Sequence, residues 1–372
     1  MSAASYRGAA ATLRPEEDVY PPAVNGILNL KEFGGTSCWF NSAIQAIYAC
    51  KPFLKALLDL ECFEDARNYN ILSGLKKIFN QLKTEADKHR LPIPYQDLIT
   101  LQPLDLTDYL TRFFKVFDFK RGETYNSAEF LQKVYDYLKT DCKITSEFFG
   151  ILSKGSNSGA FPYINLYQPD SPVDVLDLQS ISDNYCSDIS SDASFIIIRA
   201  PILQSPPPNP PKPQRMKLPE DGIIRCGDSK QFRICAVVIM SNAHFYTITW
   251  HGRYNDPTFT QNEPGNTSIM QSFLQRGYDV GEGGTAENNG DLYFFERIDG
   301  GGRQTFTEAS GPPPPSTPPS TPPSTQFTPS SSSSSTPSFA SSSQPFTPSF
   351  TPPFTSSSTP PFTPSFLSLI HI

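Results

Sequence analysis

Two residues able to do acyl-transfer chemistry stand in distinctive settings. Cys38 lies in Gly35-Thr36-Ser37-Cys38-Trp39-Phe40-Asn41-Ser42, behind a glycine turn and at the mouth of the helix-like run Ala43-Ile44-Gln45-Ala46-Ile47-Tyr48. First-turn N–H groups of a helix lack an intrahelical partner and the helix field favours an anion, so this setting predicts a stabilised thiolate. Far downstream, His244 falls in an alternating strand pattern, Ala243-His244-Phe245-Tyr246. Together they imply a cysteine nucleophile and a histidine that takes its proton and returns it to the leaving amine.

The chain has four histidines, and their settings differ. His371 lies in a low-complexity stretch, His89 in the polar run Lys88-His89-Arg90, and His251 between Trp250 and Gly252, where a strand gives way to a turn. His244 opens a strand and is the one placed to be held rigidly. A third polar group must bond the other ring nitrogen and fix the tautomer. Tyr254-Asn255-Asp256, bounded by Pro257, offers Asn255 or Asp256, and spacing alone does not choose between them. A cysteine phosphatase is excluded, because its loop needs an arginine six positions past the cysteine, where this chain has Ile44.

These side chains require a helix to carry the cysteine and strands to carry the histidine. Phe40 to Leu58 reads as one helix and a second that Pro52 separates from it. Residues 70–83 repeat Ile71, Leu72, Leu75, Ile78, Phe79 and Leu82 at helical spacing, and Leu106 to Phe117 and Ser127 to Leu138 predict two more helices. Asn126-Ser127-Ala128-Glu129 supplies a cap for the last of these. After about residue 147 the runs are short, apolar or alternating. Phe148 to Leu152, Tyr163 to Leu166, Phe195 to Ile198, Phe232 to Ile239, Phe245 to Trp250 and Leu292 to Glu296 are read as strands. The Pro-rich stretch Pro206 to Pro213 is expected to be a surface loop. Helices first and strands second predict an α+β arrangement.

Beyond Glu308 there is no Lys, Arg, Asp or Glu, and Ser, Thr, Pro and Phe dominate, with repeats such as Phe327-Thr328-Pro329-Ser330. Such a composition predicts a disordered tail, assigned to residues 301–372, with two readings of its phenylalanines: drift in a repetitive segment, or a row of weak docking sites. Residues 1–20 form a polar leader without the apolar run of a signal peptide. The net charge of −7 falls entirely before the tail, which argues against a nucleic-acid binder. No stretch is long and apolar enough to span a membrane. Seven cysteines, an odd number without a CxxC pair, do not read as a disulfide framework or a structural zinc site. An intracellular protein, cytoplasmic or nuclear, is the expectation.

The cysteine segment, with Gln45 after it, resembles the cysteine box of the ubiquitin-specific proteases, a branch of the papain-like cysteine peptidases. The family's Gln-Gln-Asp-Ala-x-Glu-Phe helix is similar to Thr124-Tyr125-Asn126-Ser127-Ala128-Glu129-Phe130. Phe195 to Arg199 resembles its hydrophobic strand, and Cys235 to Ile239 with Ala243-His244-Phe245-Tyr246 its histidine box. The order of these boxes over about 25–298 identifies a divergent member. The resemblance implies a papain-like α+β fold across residues 21–300, helical over about 25–146 and antiparallel β over about 147–298.

It also implies the reaction: thiol-dependent hydrolysis of the peptide or isopeptide bond at the C-terminal glycine of ubiquitin, with ubiquitin or ubiquitinated proteins as partners. Cys38 is then the nucleophile, His244 the general base and acid, Asn255 the residue that orients it and Asp256 its helper. Glu129, Phe130, Trp39 and Phe245 would contact the substrate, with no cofactor and no metal. The family's oxyanion-hole asparagine corresponds to Phe33 here, with Asn29 the nearest asparagine, so the hole would rest on backbone N–H groups. The zinc-bearing fingers look shortened, since only Cys142 and Cys186 fall near that region. Two other readings share these residues: a catalytically weak or inactive ubiquitin-binding module, and a papain-like peptidase acting on a ubiquitin-like modifier.

Overall fold

A computed structural model describes residues 20–298, apart from 31–36, 63–70, 90, 121–122, 124, 153–160, 167–174, 204–211, 228, 242–243, 264–265 and 281–286. The expected leader over 1–20, but for Tyr20, and the expected tail over 301–372 lie outside the described residues, as does Phe33.

The helical part contains α1 (Cys38–Ala49), α2 (Lys51–Asp59), α3 (Ile71–Asp87), α4 (Tyr95–Leu98), α5 (Thr107–Val116) and α6 (Ser127–Asp141). Pro52 sits in the first turn of α2, where its missing N–H leaves no bond unmade, so the break predicted after α1 occurs there. The cap before α6 is a reciprocal box: Asn126 Oδ1 accepts the Glu129 N–H at 2.7 Å and Glu129 Oε2 accepts the Asn126 N–H at 3.0 Å. Helix α1 is buried on all sides from Cys38 to Tyr48, as expected for an element packed both on other helices and on a sheet.

The β part contains β1 (Ile164–Asn165), β2 (Val175–Asp177), β3 (Phe195–Arg199), β4 (Ile202–Leu203), β5 (Lys212–Pro213), β6 (Arg215–Lys217), β7 (Ile223–Cys226), β8 (Lys230–Ser241), β9 (His244–Thr249), β10 (Gly252–Asn255), β11 (Thr258–Gln261), β12 (Asp279–Val280) and β13 (Glu287–Arg297). Helices α7 (Leu178–Tyr185) and α8 (Ile269–Arg276) interrupt them. The main sheet runs β1-β3-β13-β8-β9-β10-β11, with β7 on β8 and β12 on β13. It is mixed: β1 pairs parallel to β3, whereas the other ladders of this sheet are antiparallel.

Alternation along the strands explains how one sheet serves two cores. Phe195 and Ile197 of β3 and Leu292 and Phe294 of β13 face the helices, while Ile196, Ile198, Tyr293 and Phe295 face a second core completed by α8. Phe53 of α2 stacks on Phe195 with ring centroids 4.6 Å apart, joining helical part to sheet.

Three expectations need correction. Phe148 to Leu152 is not a strand: Ser146–Phe149 is a short 3-10 helix closed by Gly150 at φ +74°, where a Cβ would stand 2.6 Å from the Phe195 carbonyl oxygen. Its apolar run reflects burial against Phe53 and Tyr135, and its pairing is confined to an isolated antiparallel bridge between Ile151 and Ile189. Of the Pro-rich stretch, 204–211 lie outside the described residues, while Lys212–Pro213 pairs with Ile202–Leu203 as a two-stranded ribbon. The cysteines form two disulfides, Cys62–Cys142 and Cys186–Cys226, leaving Cys38, Cys50 and Cys235 free and buried. The partners are far apart in sequence and meet only through the fold, so spacing did not reveal them.

Candidate active site

Cys38 is the first residue of α1, and Ser37 before it is fully buried. Ser37 gives its Oγ hydrogen to Asn29 Oδ1 at 2.9 Å, and its N–H points to the same oxygen at 3.3 Å. Ser37 Oγ in turn accepts the Leu30 N–H at 2.9 Å. The start of the helix is thus tied to the preceding segment. The body of α1 is held from two more directions: Ser127 Oγ of α6 donates to the Trp39 carbonyl, and Thr247 Oγ1 of β9 to the Ser42 carbonyl, each at 2.8 Å.

His244 begins β9, paired across the hairpin with Ser241. Its Nε2 lies 2.6 Å from Asn255 Oδ1, and its Nδ1 lies 3.7 Å from Asp256 Oδ2. An amide oxygen can only accept, so Nε2 carries the hydrogen and Nδ1 the lone pair in the neutral ring. The imidazole is 40% exposed, so one face is open to an incoming group.

Asp256 follows β10 in a left-handed conformation, φ +50°, which turns its carboxylate inward. Oδ1 accepts from Asn41 Nδ2 at 3.1 Å and Oδ2 from Asn29 Nδ2 at 2.9 Å. Burial pushes this carboxyl above the ordinary aspartate range, while His244, Asn41 and Asn29 pull it back. The backbone is stitched as well: the Ile27 N–H donates to the Asp256 carbonyl at 2.7 Å, and Tyr254 Oη to the Ala23 carbonyl at 2.6 Å. Gly26 is required by this approach, since a Cβ there would stand 2.2 Å from the Pro257 carbonyl.

The thiol departs from expectation. Burial pushes Cys38 up to about 11; the N–H groups of Phe245, Trp39 and Cys38 oppose that rise, and the Asp256 charge adds to it. The helix start is real, but desolvation outweighs it, so the resting group is a thiol. Among the described residues no hydrogen bond joins this thiol to His244.

Three of the residues expected to touch substrate have enclosed side chains. Trp39 and Phe130 are fully buried and Phe245 is 1% exposed. Trp39 packs among Phe114, Phe119, Tyr125 and Phe130, an aromatic base beneath the nucleophile's helix, so none of these three offers a side-chain surface to a ligand. Glu129 is exposed, and one carboxylate oxygen serves the α6 cap. Asn41, which stands in the cysteine box, and Asn29 were not assigned from sequence, and both bind Asp256. No group of three or more His, Cys, Asp or Glu residues that could hold a metal ion occurs among the described residues. No helix among them is long and apolar enough to cross a membrane.

The chain is similar in fold to the SAGA Ubp8/Sgf11/Sus1/Sgf73 DUB module bound to ubiquitin aldehyde, at 11% identity and a TM-score of 0.47, covering 75% of this chain and 70% of that one. A structure of the same module described without ubiquitin matches at 11% identity and a TM-score of 0.44, covering 75% and 69%. No curated protein matches the chain in sequence. The family model for ubiquitin carboxyl-terminal hydrolase matches residues 26–221, more than half of the chain; the match includes Cys38 and stops short of His244. With that match, the chain belongs to the ubiquitin carboxyl-terminal hydrolase family.

Proposed function

We propose that this protein is a deubiquitinase, a cysteine hydrolase that cleaves the peptide or isopeptide bond after the C-terminal glycine of ubiquitin. The observation that carries this is the pairing of His244 Nε2 with Asn255 Oδ1 at 2.6 Å in a chain of this family. With Nε2 committed to Asn255, Nδ1 is the nitrogen that takes the Cys38 proton. The imidazolium then formed stands beside Asp256 Oδ2, whose charge stabilises it. The thiolate attacks the glycyl carbonyl, and the Nδ1 proton passes to the leaving amine. Water then hydrolyses the thioester, with His244 acting as base.

Asn29 takes the oxyanion role that the sequence left to the backbone. Support comes from its anchoring: Oδ1 is fixed by Ser37, the residue before Cys38, and Nδ2 gives one hydrogen to Asp256 and retains a second. The Cys38 N–H at the start of α1 is the accompanying donor. Glu129, exposed at the start of α6, is the proposed carboxylate for basic residues in the substrate tail.

One observation favours a second reading, a catalytically weak ubiquitin-binding module: the thiol is pushed up to about 11 and lacks a bond to His244. The two are separated by treating the protein with ubiquitin bearing a C-terminal electrophile, beside Cys38→Ala, and by following hydrolysis of a ubiquitin–fluorophore amide. A covalent adduct lost in Cys38→Ala, with turnover lost in His244→Ala, supports the hydrolase. Binding of ubiquitin without adduct or turnover supports the module, and neither signal overturns both in favour of a ubiquitin-like modifier.

A further inference from the structure

A buried cluster beneath His244 is unused by the chemistry above. His244 and Tyr246 are two apart on β9 and share a face of the strand. Their ring centroids lie 6.3 Å apart with planes inclined at 28°. Tyr246 Oη donates to Asp279 Oδ2 at 2.9 Å, and Arg253 Nη1 lies 3.5 Å from the same oxygen. Tyr246 and Asp279 are each 4% exposed. Burial and the neighbouring Asp279 charge push the Tyr246 phenol above its ordinary range, so it remains a donor.

Tyr246 comes from β9, Arg253 from β10 and Asp279 from β12. Asp279 reaches it because α8 stops at Gly277, φ +75°, where a Cβ would stand 2.3 Å from the Met216 carbonyl oxygen. A carboxylate removed from water is tolerated only when its oxygens are paired, which makes this arrangement geometrically demanding. Its effect is to fix the Tyr246 ring.

The neutral His244 imidazole is held by hydrogen bonding at Nε2 through Asn255, while Asp256 Oδ2 stands 3.7 Å from Nδ1 and attracts the ring only once it is protonated. That single bond leaves rotation of the ring unchecked on the β9 side, where the Tyr246 ring stands with its centroid 6.3 Å away. We infer that Tyr246 is a positioning residue for His244, and that Asp279 and Arg253 act through it by setting where its ring stands. This rests on the catalytic reading of His244 proposed above. A group displaced by an ångström costs a reaction about a hundredfold, so a ring that limits imidazole rotation has kinetic weight.

The test uses the full chain with 15N-labelled histidine, His244 being assigned by comparison with His244→Gln. Among the described residues Asp256 is the charged group beside the imidazole, Asn255 and Tyr246 are its other contacts, and Cys38 is the thiol it is proposed to deprotonate; Asp279→Asn changes none of them directly. In Tyr246→Phe and Asp279→Asn the neutral ring is expected to leave the pure Nε2–H form and populate the Nδ1–H tautomer. On the ubiquitin–fluorophore amide, kcat is expected to fall about tenfold with KM unchanged. Unchanged nitrogen shifts and unchanged kcat in folded variants would overturn the inference. If the unaltered protein has no turnover, the nitrogen shifts alone decide this inference, and the electrophile experiment decides the function. Should Tyr246→Phe not fold, Arg253→Lys carries the same two readouts.

Discussion

Asn41 and Asp256 lie 215 positions apart in the chain, and their side chains meet at 3.1 Å. Asn41 Nδ2 also faces the carbonyls of Ile27 and Leu28 at 3.3 and 3.2 Å, so one amide group holds the helix that Cys38 opens, the segment before it and the carboxylate beside His244. Asn41→Ala leaves buried acceptors short of a donor and is expected to destabilise the fold by about 1–3 kcal/mol. Urea unfolding measures this. Asn41→Asp is expected to be worse, because it places a second carboxylate against Asp256.

Asn29 is a test of how the oxyanion is held. Asn29→Ala is expected to reduce kcat about a hundredfold, a loss of ~3 kcal/mol in transition-state stabilisation, with KM changed little. Steady-state kinetics on the ubiquitin–fluorophore amide read this directly. A KM effect without a kcat effect would place Asn29 in binding.

The Cys38 thiol links stability to pH. Its folded value of about 11 stands above the ordinary thiol value of 9.0, so the folded state keeps a proton that the unfolded chain gives up. That contribution is fully present below pH 9 and is lost as pH rises through 11. Melting curves of the wild type and Cys38→Ala, compared between pH 8 and 11, are expected to diverge by roughly 2–3 kcal/mol, the wild type losing more. The same property predicts slow alkylation of Cys38 in the folded protein near neutrality and faster reaction as pH rises.

Much of the helical part was legible because burial of one face imposes its period on the chain. Ile71 to Leu82 and Phe130 to Leu138 show that period plainly, and Asn126 with Glu129 announced a cap that the structure forms. The central strands were legible for a different reason: buried on both faces, they read as short continuous apolar runs such as Phe195 to Ile198. Phe148 and Phe149 misled because a short buried 3-10 turn and a strand are equally apolar. Trp39 and Phe245 misled because proximity to a reactive residue in sequence does not show which way a side chain points, and Phe130 because a motif resemblance does not show it either; all three point into the core. The amide pair on Asp256 was invisible for a different reason: it depends on contacts across more than 200 positions, which no local pattern encodes.

The disulfides were invisible on the same ground, and they carry a prediction. Cys62–Cys142 closes 80 positions and Cys186–Cys226 closes 40. Each is expected to stabilise the fold by about 2–4 kcal/mol through the unfolded chain. Alkylation after unfolding without reductant should label Cys38, Cys50 and Cys235, and all seven cysteines after reduction. Reduction should lower the melting temperature, and Cys62→Ser with Cys142→Ser should reproduce part of that fall.

The close approach of Gly26 to Pro257 has a bearing on how this protein is made. Translation delivers Cys38 early and His244, Asn255 and Asp256 late, and the stitches at Ala23–Tyr254 and Ile27–Asp256 form only when both ends are present. Closing so long a loop is slow and is rewarded only at completion. A nascent chain therefore carries Cys38 through most of synthesis without His244, Asn255 and Asp256 beside it, and the candidate site is assembled only when the late strands fold onto the early helix.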